Sequence, residues 1–227
     1  MPILVITDAG HGPKAGRLDP GAQADLDRDG ILQVDEQEQH LSRRYLAALK
    51  ARLDTLAAFQ TFAVPDSLDD PGYSDGHRLA SDAAAAHGGP AVYLSGHLNA
   101  LAGDRLVEHA IVAHYDRSAD SAVLAEHLAR GLARSCAGYV RSAQVLGVAR
   151  NSAAAYQRRL HYCIRGVGVR QVDGRTVEVP NLRAVVLEPM DIRALAGTDA
   201  NTERGLNCIA DGLAHGLLAW AATLEDR

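Results

Sequence analysis

Aromatic residues make up only 4% of the chain, so its core must be filled by aliphatic side chains and alanine rather than by large rings. Cysteine is scarcer still. Cys136, Cys163 and Cys208 are widely spaced and include no Cys-x-x-Cys pair. That pattern excludes a disulfide framework and a zinc knuckle, and fits small buried side chains in a reducing compartment. Positive charge is not in excess either. A net charge of −5 gives no electrostatic footprint for nucleic acid or for an anionic membrane surface. No apolar run reaches the roughly 18 residues of a membrane span. No basic leader precedes the first apolar run at Ile3, so no signal peptide is expected. The expectation is a chain made in the cytoplasm that inserts in no membrane and reaches any outside target by lysis or another route.

What is present is an ordinary globular composition, with 47% hydrophobic and 22% charged residues over 227 positions. That length suits one domain spanning residues 1–227 with a substantial core. Apolar runs at Ile3–Ile6, Thr61–Val64, Ala91–Leu94, Ala110–Ala113 and Ala184–Leu187 read as strands. Helical stretches are expected at about Asp35–Ala58, Gly76–His87, Ser121–Ala137, Ala153–Cys163 and from Glu203 onward. Pro13–Ala24 and Asp66–Asp75 read as loops. Val167–Val179 reads as a β-hairpin, because alternating valines flank Asp173-Gly174, a strong two-residue turn signal. Strands alternating with helices predict an α/β fold, with a mainly parallel twisted sheet flanked by helices on both faces and the hairpin as an insertion.

Three strand-like runs each deliver a chemically capable residue at the same end. His11 follows the first, in Asp8-Ala9-Gly10-His11-Gly12. His97 follows the run at 91–94, in Ser95-Gly96-His97-Leu98-Asn99, and Glu188 follows Leu187. Function in open α/β sheets gathers beyond the carboxyl ends of strands, and two histidines with a carboxylate suit a catalytic zinc that keeps a position open. Helix geometry selects the third ligand. At about 100° per residue, Glu38 lies in the middle of the stripe set by Leu41, Tyr45, Leu49 and Leu53, while Glu36 lies about 160° away from it. Glu38 is therefore the expected ligand, with Glu36 as the alternative if the helix starts later. Each residue alone also fits a blander role, such as a hydrogen-bonded core histidine or a helix-start carboxylate; their coincidence at matching strand ends is what favours a metal site.

A second cation pattern lies at residues 25–36. Asp25, Asp27, Asp29, Gly30, Leu32 and Glu36 match six positions of an EF-hand calcium loop, with the Ile31 carbonyl as a further ligand. No helix is expected before Asp25, so a solvated acidic loop is the competing reading. A calcium ion there would be structural, ordering the start of the zinc helix.

These residues resemble the zinc-dependent N-acetylmuramoyl-L-alanine amidases, including phage endolysin-like members. Asp8-Ala9-Gly10-His11-Gly12 with Asp19-Pro20-Gly21-Ala22 is similar to the family's first-ligand segment, Glu38 to its ligand-bearing helix, Ser95-x-His97-x-Asn99-Ala100 to its second histidine motif, and Val186-Leu187-Glu188-Pro189 to the segment with its catalytic Glu. Met190-Asp191-Ile192-Arg193 departs from the Gly-Phe and nearby Asn that usually follow that Glu, and the hairpin before it is also a departure. The resemblance implies hydrolysis of the amide between N-acetylmuramic acid and L-alanine in peptidoglycan or muropeptides. Zinc would be held by His11, Glu38 and His97, with Glu188 as acid–base and Asn99 orienting substrate. The same metal set would also serve a zinc carboxypeptidase or aminoacylase, or a catalytically silent, metal-stabilised binding module.

Overall fold

Every residue of the first strand, β1 (Ile3–Ala9), is buried, and its alternation divides the molecule in two. Ile3 and Val5 point into one hydrophobic cluster and Leu4 and Ile6 into another, as the two-residue period of a strand requires. The computed structural model describes residues 1–14, 17–65, 73–100 and 106–225. After β1 come β2 (Gly12–Lys14), β3 (Arg17–Asp19), helix α1 (Glu38–Leu53), β4 (Phe59–Ala63), α2 (Tyr73–His87), β5 (Ala91–Gly96) and β6 (His109–Tyr115). Then follow α3 (Ala119–Ser135), β7 (Ser142–Val148), α4 (Ala155–Tyr162), β8 (Val169–Val172), β9 (Arg175–Glu178), β10 (Leu182–Glu188) and α5 (Asp199–Glu225).

Six strands form one sheet in the order β4-β1-β5-β10-β6-β7. Neighbours run parallel except β10 and β6, which pair antiparallel. Apolar residues of α1, α3 and α5 cover one face, including Leu41, Leu49, Leu128 and Leu213. Those of α2 and α4 cover the other, including Ala80, Ala84 and Leu160. The expected α/β sheet with helices on both faces is therefore present. So is the hairpin: β8 and β9 pair antiparallel, with Asp173 at φ 51° and Gly174 at φ 75°, as a primed turn needs. Among the described residues no helix is long and apolar enough to cross a membrane.

Several boundaries differ from the sequence expectation. Helix α1 is shorter than Asp35–Ala58 at both ends. Val34–Glu36 is a separate 3-10 turn, and Gln37 is extended between it and α1. At the other end the Ala58 carbonyl is taken by the Ile3 N–H, so sheet pairing overrides the helix preference of Leu56-Ala57-Ala58. Helix α5 begins at Asp199 rather than Glu203. Within the expected Pro13–Ala24 loop, β2 and β3 pair antiparallel. Strand β7 was not foreseen; it lies at the sheet edge and its residues are mostly half-buried or exposed, so it lacks the apolar run that marks the inner strands. Residues 15–16 and 66–72, within the two expected loops, lie outside the described residues.

The cysteines are free, as expected, but two of them meet. Cys136, at the end of α3, and Cys208, on α5, lie with their sulfurs 2.9 Å apart. The hydrogen bond between them, with burial adding to it, pushes the Cys136 thiol far up in pKa.

Candidate metal centre and active-site cleft

The strand register sets the site. At the carboxyl ends of the parallel strands, the Gly10 N–H donates to the Gly96 carbonyl at 2.7 Å and the His97 N–H to the Leu187 carbonyl at 2.9 Å. The residues after β1, after β5 and at the end of β10 thus sit side by side. His11 and His97 meet edge to face, with ring centroids 4.9 Å apart and planes at 87°.

Glu38 opens α1 and is 3% exposed. Its Oε1 lies 3.2 Å from His11 Nε2 and 3.1 Å from His97 Nδ1. The same oxygen accepts the Leu98 N–H at 3.0 Å, and Oε2 accepts the Ala22 N–H at 2.7 Å. One ligand atom from each of His11, Glu38 and His97 falls within 4.8 Å of the others. The helix-wheel expectation for Glu38 is met. Glu36 does turn away from this centre, but because a non-helical Gln37 intervenes, not because of its angle on the wheel.

Two glycines make this convergence possible. A Cβ on Gly10 would stand 1.9 Å from the His97 ring; Gly10 is not in the left-handed region, so close approach rather than turn geometry demands it here. Gly21 has φ +70°, and a Cβ there would press on Glu38 and His11 at 2.6 Å. Support for His97 comes from α1 as well, through the Tyr45 hydroxyl, which donates to its carbonyl at 3.1 Å.

Glu188 is buried, and its Oε2 has no hydrogen-bond partner. Burial, with the nearby Glu38 charge adding to it and His97 opposing it, pushes its carboxyl up to about 8. Burial also pushes Glu38 upward, but hydrogen bonds from His11 and His97 outweigh it and hold that carboxyl well below the usual range. Two carboxylates in one site are thus driven in opposite directions, the pattern expected of a ligand beside an acid–base group.

Asn99 is buried. Its N–H donates to the Met190 carbonyl and its carbonyl accepts the Ile192 N–H, both at 2.9 Å. The departure segment therefore has a structural task. Asp191 binds the Arg193 guanidinium and accepts the Val107 N–H, which fixes the backbone that holds Asn99.

His11, Glu38, His97, Asn99 and Glu188 all line a cleft of about 450 Å³. Helix α4 and the turn after it contribute Tyr156, Arg159, Leu160, Tyr162, Cys163 and Arg165. The sequence assigned none of these to the site. The available signal was two tyrosines and three arginines within the ten positions 156–165 of an aromatic-poor chain.

The acidic loop forms a separate cluster. Ligand oxygens of Asp25, Asp27 and Glu36 lie within 4.8 Å of one another. Asp29 is outside that group and accepts the Ile31 N–H at 2.7 Å; the Ile31 side chain is exposed. Asp25 accepts the Gly30 N–H at 3.0 Å, where Gly30 has φ 85°. Glu36 is already engaged by the backbone N–H groups of Leu26, Asp27 and Gln33.

The fold and its donors define a class: an α/β sheet whose strand ends carry two histidines that meet a carboxylate from the start of a helix. Solved structures share that fold over nearly the whole chain. AmiC2, an N-acetylmuramoyl-L-alanine amidase of Nostoc punctiforme, aligns with a TM-score of 0.61 at 18% identity, covering 99% of this chain and 98% of that one. The catalytic domain of CwlV, an N-acetylmuramoyl-L-alanine amidase from Paenibacillus polymyxa, aligns at 0.64 and 16% identity over 100% of both chains. The catalytic domain of the CD27L endolysin, which targets Clostridia difficile, aligns at 0.57 and 14% identity, covering 96% and 98%. No protein-family model and no curated protein matches the chain.

Proposed function

We propose that this chain is a zinc-dependent hydrolase of the amide bond between N-acetylmuramic acid and L-alanine in peptidoglycan. The observation that carries the reading is the convergence of His11, Glu38 and His97 beside a buried carboxyl, Glu188, with an unpartnered oxygen. The shared fold with N-acetylmuramoyl-L-alanine amidases supports the choice of substrate.

The donor chemistry fits zinc: two imidazole nitrogens and one carboxylate oxygen form a three-residue set that leaves a position for water or substrate. A zinc ion held there supplies Lewis acidity, lowering the pKa of water and polarising a carbonyl. The protein's own groups do the rest. Glu38, pinned by the Leu98 and Ala22 amides, keeps both histidines aimed inward. Glu188 accepts the proton of the attacking water and returns it to the departing alanine nitrogen. Asn99, held by the Asp191–Arg193 pair, orients the substrate.

The proposal extends to a structural calcium ion in the loop at 25–36, supported by Asp25 Oδ1, which is buried without a partner. Calorimetric titration with calcium should show one site that Asp25→Asn abolishes; no heat in the unsubstituted protein would leave Glu36 alone as the loop's organiser. The target is the cell wall, reached by lysis or by export.

Digestion of purified peptidoglycan tests the function. Mass spectrometry should find stem peptides with free N-terminal L-alanine, and chelation should abolish them. Cleavage confined to simple acyl-amino acids would transfer the protein to another amidohydrolase class, and no cleavage at all would make it a binding module.

A further inference from the structure

Helix α4 begins at Ala155, and its second residue, Tyr156, faces the cleft that holds the metal ligands. Its hydroxyl oxygen is buried and has no hydrogen-bond partner. Buried hydroxyls in native proteins are nearly always bonded, so an orphan calls for an explanation. Here it faces Glu188 and Glu38, with the Asn99 side chain near enough to act on its pKa as a hydrogen-bonding neighbour although the two do not meet in hydrogen-bond geometry. The second orphan in this cleft is Glu188 Oε2. One atom is a donor and the other an acceptor, and they are not bonded to each other. A tyrosine whose task was to hold Glu188 would already be hydrogen-bonded to it.

We propose that Tyr156 is a further catalytic residue, whose hydroxyl donates a hydrogen bond to the carbonyl oxygen of the scissile amide as negative charge develops on it. The inference rests on amide hydrolysis as the reaction at this site. An amide under attack by water needs two things from its surroundings: a base for the water's proton, and a donor for the oxygen that gains charge. Glu188 is placed for the first, and Tyr156 offers the second. The tyrosine transfers no proton. The water's proton passes through Glu188 to the nitrogen, the carbon–nitrogen bond breaks, and the phenol stays protonated throughout. Burial, with the carboxylates of Glu188 and Glu38 adding to it, pushes its pKa well above the ordinary phenol value, which keeps it a donor over the working range. The arginines of the same wall, Arg159 and Arg165, are exposed and lie where they would meet the peptide rather than a desolvated oxygen.

Tyr156→Phe removes the hydroxyl donor and keeps the ring. With a muramoyl dipeptide as substrate, kcat should fall about 10–100-fold, reaching at most the lower end of the range for loss of one such donor. KM, bound zinc and melting temperature should stay within experimental scatter, and the pH profile should keep its shape on a lower plateau. A kcat within twofold of the unsubstituted protein would overturn the proposal. So would a displaced acid limb with the plateau retained, since that places Tyr156 on Glu188 and not on substrate. A second measurement is binding of a phosphinate analogue of the muramoyl–alanine linkage, whose tetrahedral oxygens mimic the developing charge. The substitution should weaken it at least tenfold. If the unsubstituted protein binds the analogue in this tyrosine-dependent way yet cleaves no muramoyl amide, the proposed substrate falls and the donor stands. Equal affinity with intact cleavage has the opposite meaning, and no binding by either form removes both.

Discussion

Less than a methyl group's worth of space separates the His97 ring from the backbone at Gly10, where an added Cβ would lie 1.9 Å from the imidazole. Gly10→Ala should therefore displace His97 and cut zinc affinity at least tenfold, within the range known for lost support of a ligand; competition with a chromogenic chelator would measure it. Glu188 has a different vulnerability. Glu188→Gln should keep zinc bound while lowering kcat about 10²–10⁴-fold, the usual worth of acid–base catalysis; a near-normal rate in a peptide-release assay would remove Glu188 from the mechanism. Its carboxyl also couples stability to pH. Burial raises it from 4.5 to about 8 in the metal-free fold. The buried neutral form therefore stabilises fully below 4.5, and that contribution is lost as pH rises through 8. Metal-free protein should melt at lower temperature at pH 9 than at pH 6, and Glu188→Gln should reduce the difference, leaving the part that comes from His97, whose pKa is raised as well. Equal slopes in the two melting series would show that Glu188 is not buried as described.

Among the elements, α1 ties the metal centre to the core. Glu38 begins it, and Leu41, Tyr45, Leu49 and Leu53 are all fully buried along its inner face. Leu49→Ala should cost about 2–5 kcal/mol by opening a cavity, read from urea unfolding, while leaving the metal ligands in place. A cost near zero would mean that α1 does not pack on the sheet here. The stripe of α1 was legible in the sequence because both its period and its burial are strong. Strands β1, β5 and β10 were legible for the same reason, and with them the shared positions of His11, His97 and Glu188. The hairpin could be read from Asp173-Gly174 alone, since few residue pairs tolerate two positive φ values. Strand β7 was hidden because an edge strand exposes much of its surface and needs no apolar run. Helix α4 was foreseen as a helix but not as a wall of the cleft. It spans only eight residues, and which neighbour its tyrosine faces is decided by tertiary packing, not by local pattern. The meeting of Cys136 with Cys208 escaped for a like reason, being fixed by how α3 crosses α5. There Gly131 faces Gly212, with room for no Cβ between them.

At the scale of the whole molecule, one sheet carries two separate hydrophobic clusters, and the strand ends between them, with the start of α1, hold the candidate ligands. A metal that binds only this folded arrangement adds stability that grows with the logarithm of its free concentration, about 2.7 kcal/mol at a hundredfold excess over its dissociation constant. Removal of zinc with calcium kept in excess should therefore lower the melting temperature of the unsubstituted protein and leave that of Glu38→Ala unchanged. The most direct test of the central claim is the zinc content of purified protein and of two single variants, measured by elemental analysis after removal of loosely held metal. One zinc per chain is expected in the unsubstituted protein and in Glu36→Ala, and none in Glu38→Ala. Zinc retained without Glu38, or lost without Glu36, would contradict the assignment of His11, Glu38 and His97 as the centre on which the chemistry depends.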